Sequence, residues 1–195
     1  MANVAVYLDY HGVLDECVEA DLARFGIELD HMDVRMHLLS FGGMTRARQT
    51  LMALTLAGIE DLFATLTFTK YRTSTERQLD LTQPRQFIPA VVRHLFTSSG
   101  SDSSSGRAAA VQFEMFNGGK DDYFLFTTAT WVYDRVTVFV DDKWDNLRAA
   151  ARVVQNLVCV EMRRRRWQSP SEDCIHVRTL AHVHVELLHL QDQSR

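Results

Sequence analysis

The sequence has few cysteines and no long apolar segment, and each shortage argues against a class of protein. Its three cysteines, Cys17, Cys159 and Cys174, are an odd number without a C-x-x-C spacing, so neither a disulfide framework nor a zinc site is indicated. No apolar run approaches the roughly 18 residues that a membrane span needs, and the N-terminus has no signal-peptide pattern. We therefore expect reduced thiols, no membrane contact and a cytoplasmic protein.

An excess of positive charge is also absent. The net charge of −4 argues against binding nucleic acid through a broad basic surface. Four consecutive arginines, 163–166, followed by Trp167, offer a local patch that could contact nucleic acid, although a solvated basic loop explains them more simply. Nucleic acid is therefore a possible partner but not the favoured one.

What the chain does have is an opening buried-strand pattern that ends in an acid. Val4–Leu8 is a short apolar run, typical of a parallel strand that is buried on both faces. Asp9 follows at its carboxyl end, the edge where open α/β sheets bind ligands. Gly12 permits a sharp turn that brings backbone N–H groups close to Asp9. Taken alone, this segment is explained equally well by a solvated turn.

A second strand, predicted over 36–40, ends in a hydroxyl group. Ser40 is followed by Phe41, Gly42 and Gly43 and then by a helix predicted over 45–63. A hydroxyl and flexible backbone N–H groups ahead of a helix are typical of an anion site. A serine that merely caps the helix is an equal alternative.

A later strand, predicted over 135–142, ends in two acids, Asp141 and Asp142. Lys120 stands before it, at the start of a segment that includes a helix predicted over 123–133. A second lysine, Lys70, ends another strand, predicted over 64–71. A lysine at either place is a candidate to meet an anion at this edge of the sheet.

The order of the elements predicts the fold. Strands that alternate with helices imply parallel crossovers, and we expect a three-layer α/β/α sandwich with a mainly parallel sheet, in a single domain over 1–195. Residues 72–117 interrupt the alternation. There we predict a helix over 84–96, a flexible loop over 97–106 and a strand over 108–116. This insertion would form a small cap or an added edge hairpin.

In this order, the segments 9–14, 38–40, Lys120 and 138–146 resemble the four motifs of the haloacid dehalogenase (HAD) superfamily. The resemblance covers most of the chain outside the insertion. It implies a Rossmannoid α/β fold in which a small insertion replaces a full cap. It also implies a Mg²⁺-dependent phosphohydrolase or phosphotransferase that acts on a phosphorylated substrate, either a small molecule or a macromolecule. The sequence identifies neither that substrate nor the oligomeric state.

The resemblance implies a role for each acid. Asp9 would be the nucleophile, forming an aspartyl-phosphate that water then cleaves. Asp9, the main-chain carbonyl of His11, Asp141 and Asp142 would bind the metal, and the oxygen ligands in this set suit Mg²⁺. Dehalogenation is disfavoured, since it does not need the metal site that the paired acids suggest.

The resemblance also implies a phosphate site made of Ser40, Phe41, Gly42 and Lys120, with the lysine acting as a point charge. Lys120 is favoured over Lys70 because its distance before the acidic strand matches the family's arrangement.

One position departs from the family's pattern. Its hydrolases usually carry a second aspartate two residues after the nucleophile, where this chain has His11. An imidazole can protonate a leaving group and then activate water. The same change could instead mark a catalytically silent HAD-like domain that binds a phosphorylated ligand or a protein partner. A regulatory phosphate acceptor at Asp9 is a third interpretation.

Overall fold

The computed structural model describes residues 4–32, 34–79, 91–97, 110–130, 136–163 and 174–193. Its strands are β1 (Val4–Leu8), β2 (Arg35–Phe41), β3 (Thr65–Thr69), β4 (Val91–Thr97), β5 (Ala110–Phe116), β6 (Val136–Asp141), β7 (Leu157–Met162) and β8 (Ile175–Val177). Its helices are α1 (Glu19–His31), α2 (Met44–Leu56), α3 (Ser74–Leu79), α4 (Lys120–Thr130), α5 (Trp144–Ala151) and α6 (Leu180–Gln193). A wide helical turn, Tyr10–Leu14, follows β1, and a 3₁₀ turn, Glu60–Leu62, precedes β3. In the described part of the chain, no helix combines the length and the apolar character needed to cross a membrane.

The strands form one sheet in the order β4-β5-β3-β2-β1-β6-β7-β8. Neighbouring strands are parallel except β4, which pairs antiparallel with β5 at one edge. Strand β1 lies between β2 and β6, so the carboxyl ends of these three strands meet at one edge of the sheet. The predicted mainly parallel sheet is confirmed.

Helices cover both faces of the sheet because side chains alternate along its central strand. Val4, Val6 and Leu8 pack with buried residues of α1, α2 and α6. Ala5 and Tyr7 point to the other face, where they pack with α4 and α5. The predicted three-layer sandwich is therefore confirmed, and its two cores hold the central strands rigidly in place.

The segment 72–117 contributes to the sheet. Strand β5 extends it as a parallel neighbour of β3, and β4 closes that edge. The helix predicted over 84–96 is wrong for 91–96, which lie in β4, while 80–90 fall outside the described residues. Burial in β4 alternates from Val92 onwards, because successive side chains of a strand paired with β5 point to opposite faces of the sheet. The flexible loop predicted over 97–106 falls outside the described residues apart from Thr97, which ends β4.

The helix predicted over 45–63 is also wrong in its length, since α2 ends at Leu56. Gly58 has a φ of +65°, its N–H donates to the carbonyl of Thr55, and the N–H of Ile59 donates to that of Leu54. This pair of hydrogen bonds around a left-handed glycine terminates the helix.

Candidate active site

The candidate site lies at the carboxyl edge of β1, β2 and β6. Asp9 directly follows β1, Ser40 lies near the end of β2, and Asp141 is the last residue of β6. The N–H of Asp9 donates to the carbonyl of Val140 (3.0 Å), which ties the acid to the neighbouring strand. The structure thus brings together polar residues that are far apart in the sequence.

The Asp9 carboxylate is held by three donors and is nearly buried, with 5% of the residue exposed. Its Oδ1 accepts hydrogen bonds from the Tyr10 N–H and the Ser40 Oγ, each at 2.7 Å. Its Oδ2 lies 2.7 Å from the Nζ of Lys120. Because both oxygens are engaged, the plane of the carboxylate is fixed.

Lys120 begins α4, and its side chain is fully buried between two acids. Its Nζ lies 2.7 Å from Asp9 Oδ2 and 2.6 Å from Asp141 Oδ2. Burial by itself would lower the pKa of Lys120, but the charges of Asp141 and Asp9 outweigh it and raise that pKa above its ordinary value. The rival, Lys70, instead directs its Nζ to the ring of Tyr71, 5.0 Å from the centroid. The lysine beside Asp9 is therefore Lys120.

Asp141 is fully buried and accepts hydrogen bonds at both oxygens. Its Oδ1 accepts from the N–H of Lys143 (2.8 Å), and the Nδ2 of Asn146 lies 3.1 Å from Oδ1 and 3.0 Å from Oδ2. Burial raises the pKa of Asp141 to about 6, with the charge of Lys120 opposing this rise and that of Asp9 adding to it. The sequence interpretation gave Asn146 no role at the site. Its place on the first turn of α5, just after the acidic pair, is the signal that could have revealed it.

Asp9, Asp141 and Asp142 form an acidic cluster that could hold a metal ion. One carboxylate oxygen from each lies within 4.8 Å of the others. Gly12 has a φ of +79°, and a Cβ there would lie 2.4 Å from Asp142 Cγ, so only glycine lets Asp142 approach the turn after Asp9. The oxygen donors fit Mg²⁺ or a similar hard cation. The carbonyl of His11 stays a predicted ligand.

The imidazole of His11 lies at the mouth of the site and is oriented by Asp15. Its Nδ1 lies 3.3 Å from Asp15 Oδ2, and the other oxygen of Asp15 accepts a hydrogen bond from the Gly12 N–H at 2.7 Å. The Nε2 of His11 is buried and has no hydrogen-bond partner among the described residues. Nδ1 is thus held by a partner, while Nε2 keeps an unused hydrogen-bonding site.

Of the remaining predicted phosphate-binding residues, Gly42 has its backbone already engaged. Its N–H donates to the carbonyl of Thr69 at 3.0 Å, continuing the β2–β3 pairing. The ring of Phe41 lines the cavity beside the site. The roles of Phe41 and Gly42 in binding phosphate stay predictions.

The site opens into a cavity of about 380 Å³. Besides the predicted residues and Asn146, its walls contain residues that the sequence interpretation missed: Glu16, Arg46, Gln49, Arg72 and Lys143. The ammonium group of Lys143 pairs with Asp142 at 2.8 Å. Arg46 lies on the first turn of α2, after the strand that ends in a hydroxyl, so its position was a signal that sequence reasoning could have used. Nothing in the local sequence marks Arg72.

The arginine run considered for nucleic-acid binding is described only at its first residue. Arg163 is largely buried and directs its Nε to Glu161 Oε2 at 2.9 Å. Residues 164–167 lie outside the described residues, so contact with nucleic acid stays a prediction.

No protein-family model matches the sequence, and no curated protein matches it. Among solved structures, the chain is similar to D,D-heptose 1,7-bisphosphate phosphatase from Burkholderia thailandensis. The two are 16% identical, the match covers 95% of this chain and 99% of that one, and the TM-score is 0.49. A likeness this distant assigns no chemistry to this chain, so its function has to be inferred from the geometry of the site.

Proposed function

We propose that this protein is a Mg²⁺-dependent phosphohydrolase or phosphotransferase that forms an aspartyl-phosphate on Asp9. The observation that carries the proposal is the immobilised Asp9 carboxylate at the cavity wall, with Ser40 and Lys120 beside it. A nucleophile fixed in this way reacts without first losing the freedom to rotate. The resemblance of the four motifs to the HAD superfamily supports the same chemistry.

In the first step, an oxygen of Asp9 attacks phosphorus and the bond from phosphorus to the leaving oxygen breaks. An ammonium group has three donors, and Lys120 uses two of them on Asp9 and Asp141. The third would hold a phosphoryl oxygen as its charge rearranges. The Ser40 hydroxyl has one proton, which it donates to Asp9 Oδ1 in the free protein, so it would turn to a phosphoryl oxygen when the substrate binds.

His11 would move the protons. In the first step its Nε2 gives a proton to the leaving oxygen, and in the second it accepts one from the water that attacks phosphorus. That attack breaks the acyl-phosphate bond, releases inorganic phosphate and restores the Asp9 carboxylate. Asp15, hydrogen-bonded to Nδ1, would keep the ring oriented for both transfers. In a phosphotransferase, an acceptor hydroxyl would replace the water.

Asp9, Asp141 and Asp142 would hold the metal ion. When bound, Mg²⁺ supplies positive charge that offsets these acids and the phosphoryl oxygens.

The test is release of inorganic phosphate from p-nitrophenyl phosphate, with Mg²⁺ and with EDTA. We expect metal-dependent turnover that falls at least about 1000-fold in Asp9→Asn, since the nucleophile is lost. Asp30→Asn, which removes an exposed acid from α1, is the matched control and should keep full activity.

Two outcomes would replace the proposal. An inert wild type that gains turnover on His11→Asp would favour the catalytically silent interpretation. A stable phosphoprotein formed from acetyl phosphate, without continued turnover, would favour a regulatory acceptor at Asp9.

A further inference from the structure

Two guanidinium groups lie close to one aromatic ring beside the candidate site. The Cζ of Arg72 lies 5.0 Å from the centroid of the Phe41 ring and that of Arg46 lies 6.0 Å from it, both within the range of cation–π attraction. All three side chains line the cavity that contains Asp9. We call Arg46, Arg72 and Phe41 the basic rim.

The backbone of the basic rim is held by the same segments that position Lys120. The N–H of Lys120 donates to the carbonyl of Arg72, and the N–H of Tyr71 donates to that of Gly118. On the other side, a Cβ at Gly42 would lie 2.8 Å from the Cβ of Arg46, so glycine at this position makes room for the arginine. Both arginines therefore lie in segments that are held in place by hydrogen bonds or close packing.

Among the residues that the structure describes, no ion pair neutralises the charges of the basic rim. Lys120 and Lys143, the other cations of the site, each pair with an acid. Within the described segments, neither Arg46 nor Arg72 has a carboxylate oxygen in ion-pair range. Two like charges close to the same ring repel each other, and an anion bound beside them would offset that repulsion.

We propose that the basic rim binds a second phosphate group of the substrate. This inference rests on the proposed function, because the first phosphoryl group would lie at Asp9. One guanidinium group can donate two parallel hydrogen bonds to two oxygens of a phosphate. Two guanidinium groups at the mouth of a cavity therefore suit a terminal phosphate. Arg46 and Arg72 are exposed, whereas Lys120 and Ser40 are buried beside Asp9. The rim therefore serves a part of the ligand that extends outward, and the substrate class is a phosphomonoester with a further phosphate group.

The test compares binding of alkanediol bisphosphates of increasing chain length with that of the matched alkyl monophosphates. Calorimetric titrations use the Asp9→Asn protein, which cannot turn them over, and the wild type in EDTA serves if that variant does not fold. At the best chain length we expect the bisphosphate to bind at least about 10-fold more tightly than the monophosphate. When Arg46→Gln and Arg72→Gln are introduced into the same protein, the ratio of bisphosphate to monophosphate affinity should fall towards one.

The control pair is Arg35→Gln with Arg48→Gln, which removes the same charge from exposed positions outside the cavity. It should keep the preference for the bisphosphate. Three results would each overturn the inference. The two ligands bind equally well, the preference for the bisphosphate survives the loss of both rim arginines, or that loss weakens the binding of both ligands equally. If the protein prefers bisphosphates but hydrolyses no aryl phosphate, the phosphate site at the basic rim is supported and the proposed reaction is refuted. If it hydrolyses aryl phosphate but does not prefer bisphosphates, the proposed reaction is supported and the phosphate site at the basic rim is refuted.

Discussion

The Nζ of Lys120 lies 2.7 Å from the Oδ2 of Asp9, and the lysine side chain has no exposed surface. The same ammonium group pairs with Asp141, which is also fully buried. Removing charges from water is costly unless they are paired, so one lysine makes it feasible to bury both acids here. The residue proposed to bind phosphate is thus also needed by the fold.

Replacing Lys120 with methionine should destabilise the protein by about 3–5 kcal/mol, because two buried acids lose their counter-charge. The measurement is urea unfolding of the metal-free protein. Lys70→Met is the control, since the ammonium group of Lys70 lies over the Tyr71 ring. A variant of Lys120 as stable as that control would contradict the importance of the buried ion pairs.

Gly12→Ala should weaken Mg²⁺ binding as well as stability. Its Cβ would lie 2.4 Å from Asp142 Cγ, which forces this acid away from the cluster. Gly58→Ala separates the two effects, because Gly58 also has a positive φ but its Cβ would meet no atom within 4 Å. Both variants should lose about 1–2 kcal/mol to backbone strain. Only Gly12→Ala should need more Mg²⁺ for half-maximal phosphate release, and an equal requirement in both variants would refute this account.

The role of His11 should be visible in the choice of leaving group. A general acid matters most when the departing oxygen is a poor leaving group, so His11→Ala should lose about 100-fold or more on an alkyl phosphate. It should lose much less on p-nitrophenyl phosphate, whose leaving group needs little protonation. Asp15→Asn should show the same selectivity to a smaller degree, while the exposed His31→Ala is the control. Equal losses on both substrates would point to a structural role for His11.

The stability of the metal-free protein should depend on pH through the ionisation of Asp141. Burial raises the pKa of Asp141 from 3.8 to about 6. Between about pH 4 and 6 the unfolded chain has therefore released a proton that the folded chain keeps, and stability falls as the pH rises. Asp141→Asn removes this dependence, so the stability of wild type relative to the variant should decline across this window and level off above it. Urea unfolding at successive pH values measures the difference, and a rise in it with pH would contradict the assignment.

The sequence by itself determined the layered α/β fold and the strand ends at which the acids lie. These features are local: a short apolar run specifies a buried strand, and the residue after it, Asp9 or Asp142, lies at or near the strand's end. Local patterning failed in β4, where Val91, Val92 and Leu95 have a spacing that suits a helix. Pairing with β5, which no neighbouring residue specifies, decided in favour of a strand.

Only the tertiary structure decided which polar side chains meet. It directs Lys120 to Asp9 and Lys70 to a tyrosine ring, and it places Arg46 and Arg72 on the same phenylalanine. The physical reason is that a side chain's partners are set by packing between distant segments. Residues that are equivalent in the sequence therefore acquire different roles once the sheet and its helices are assembled.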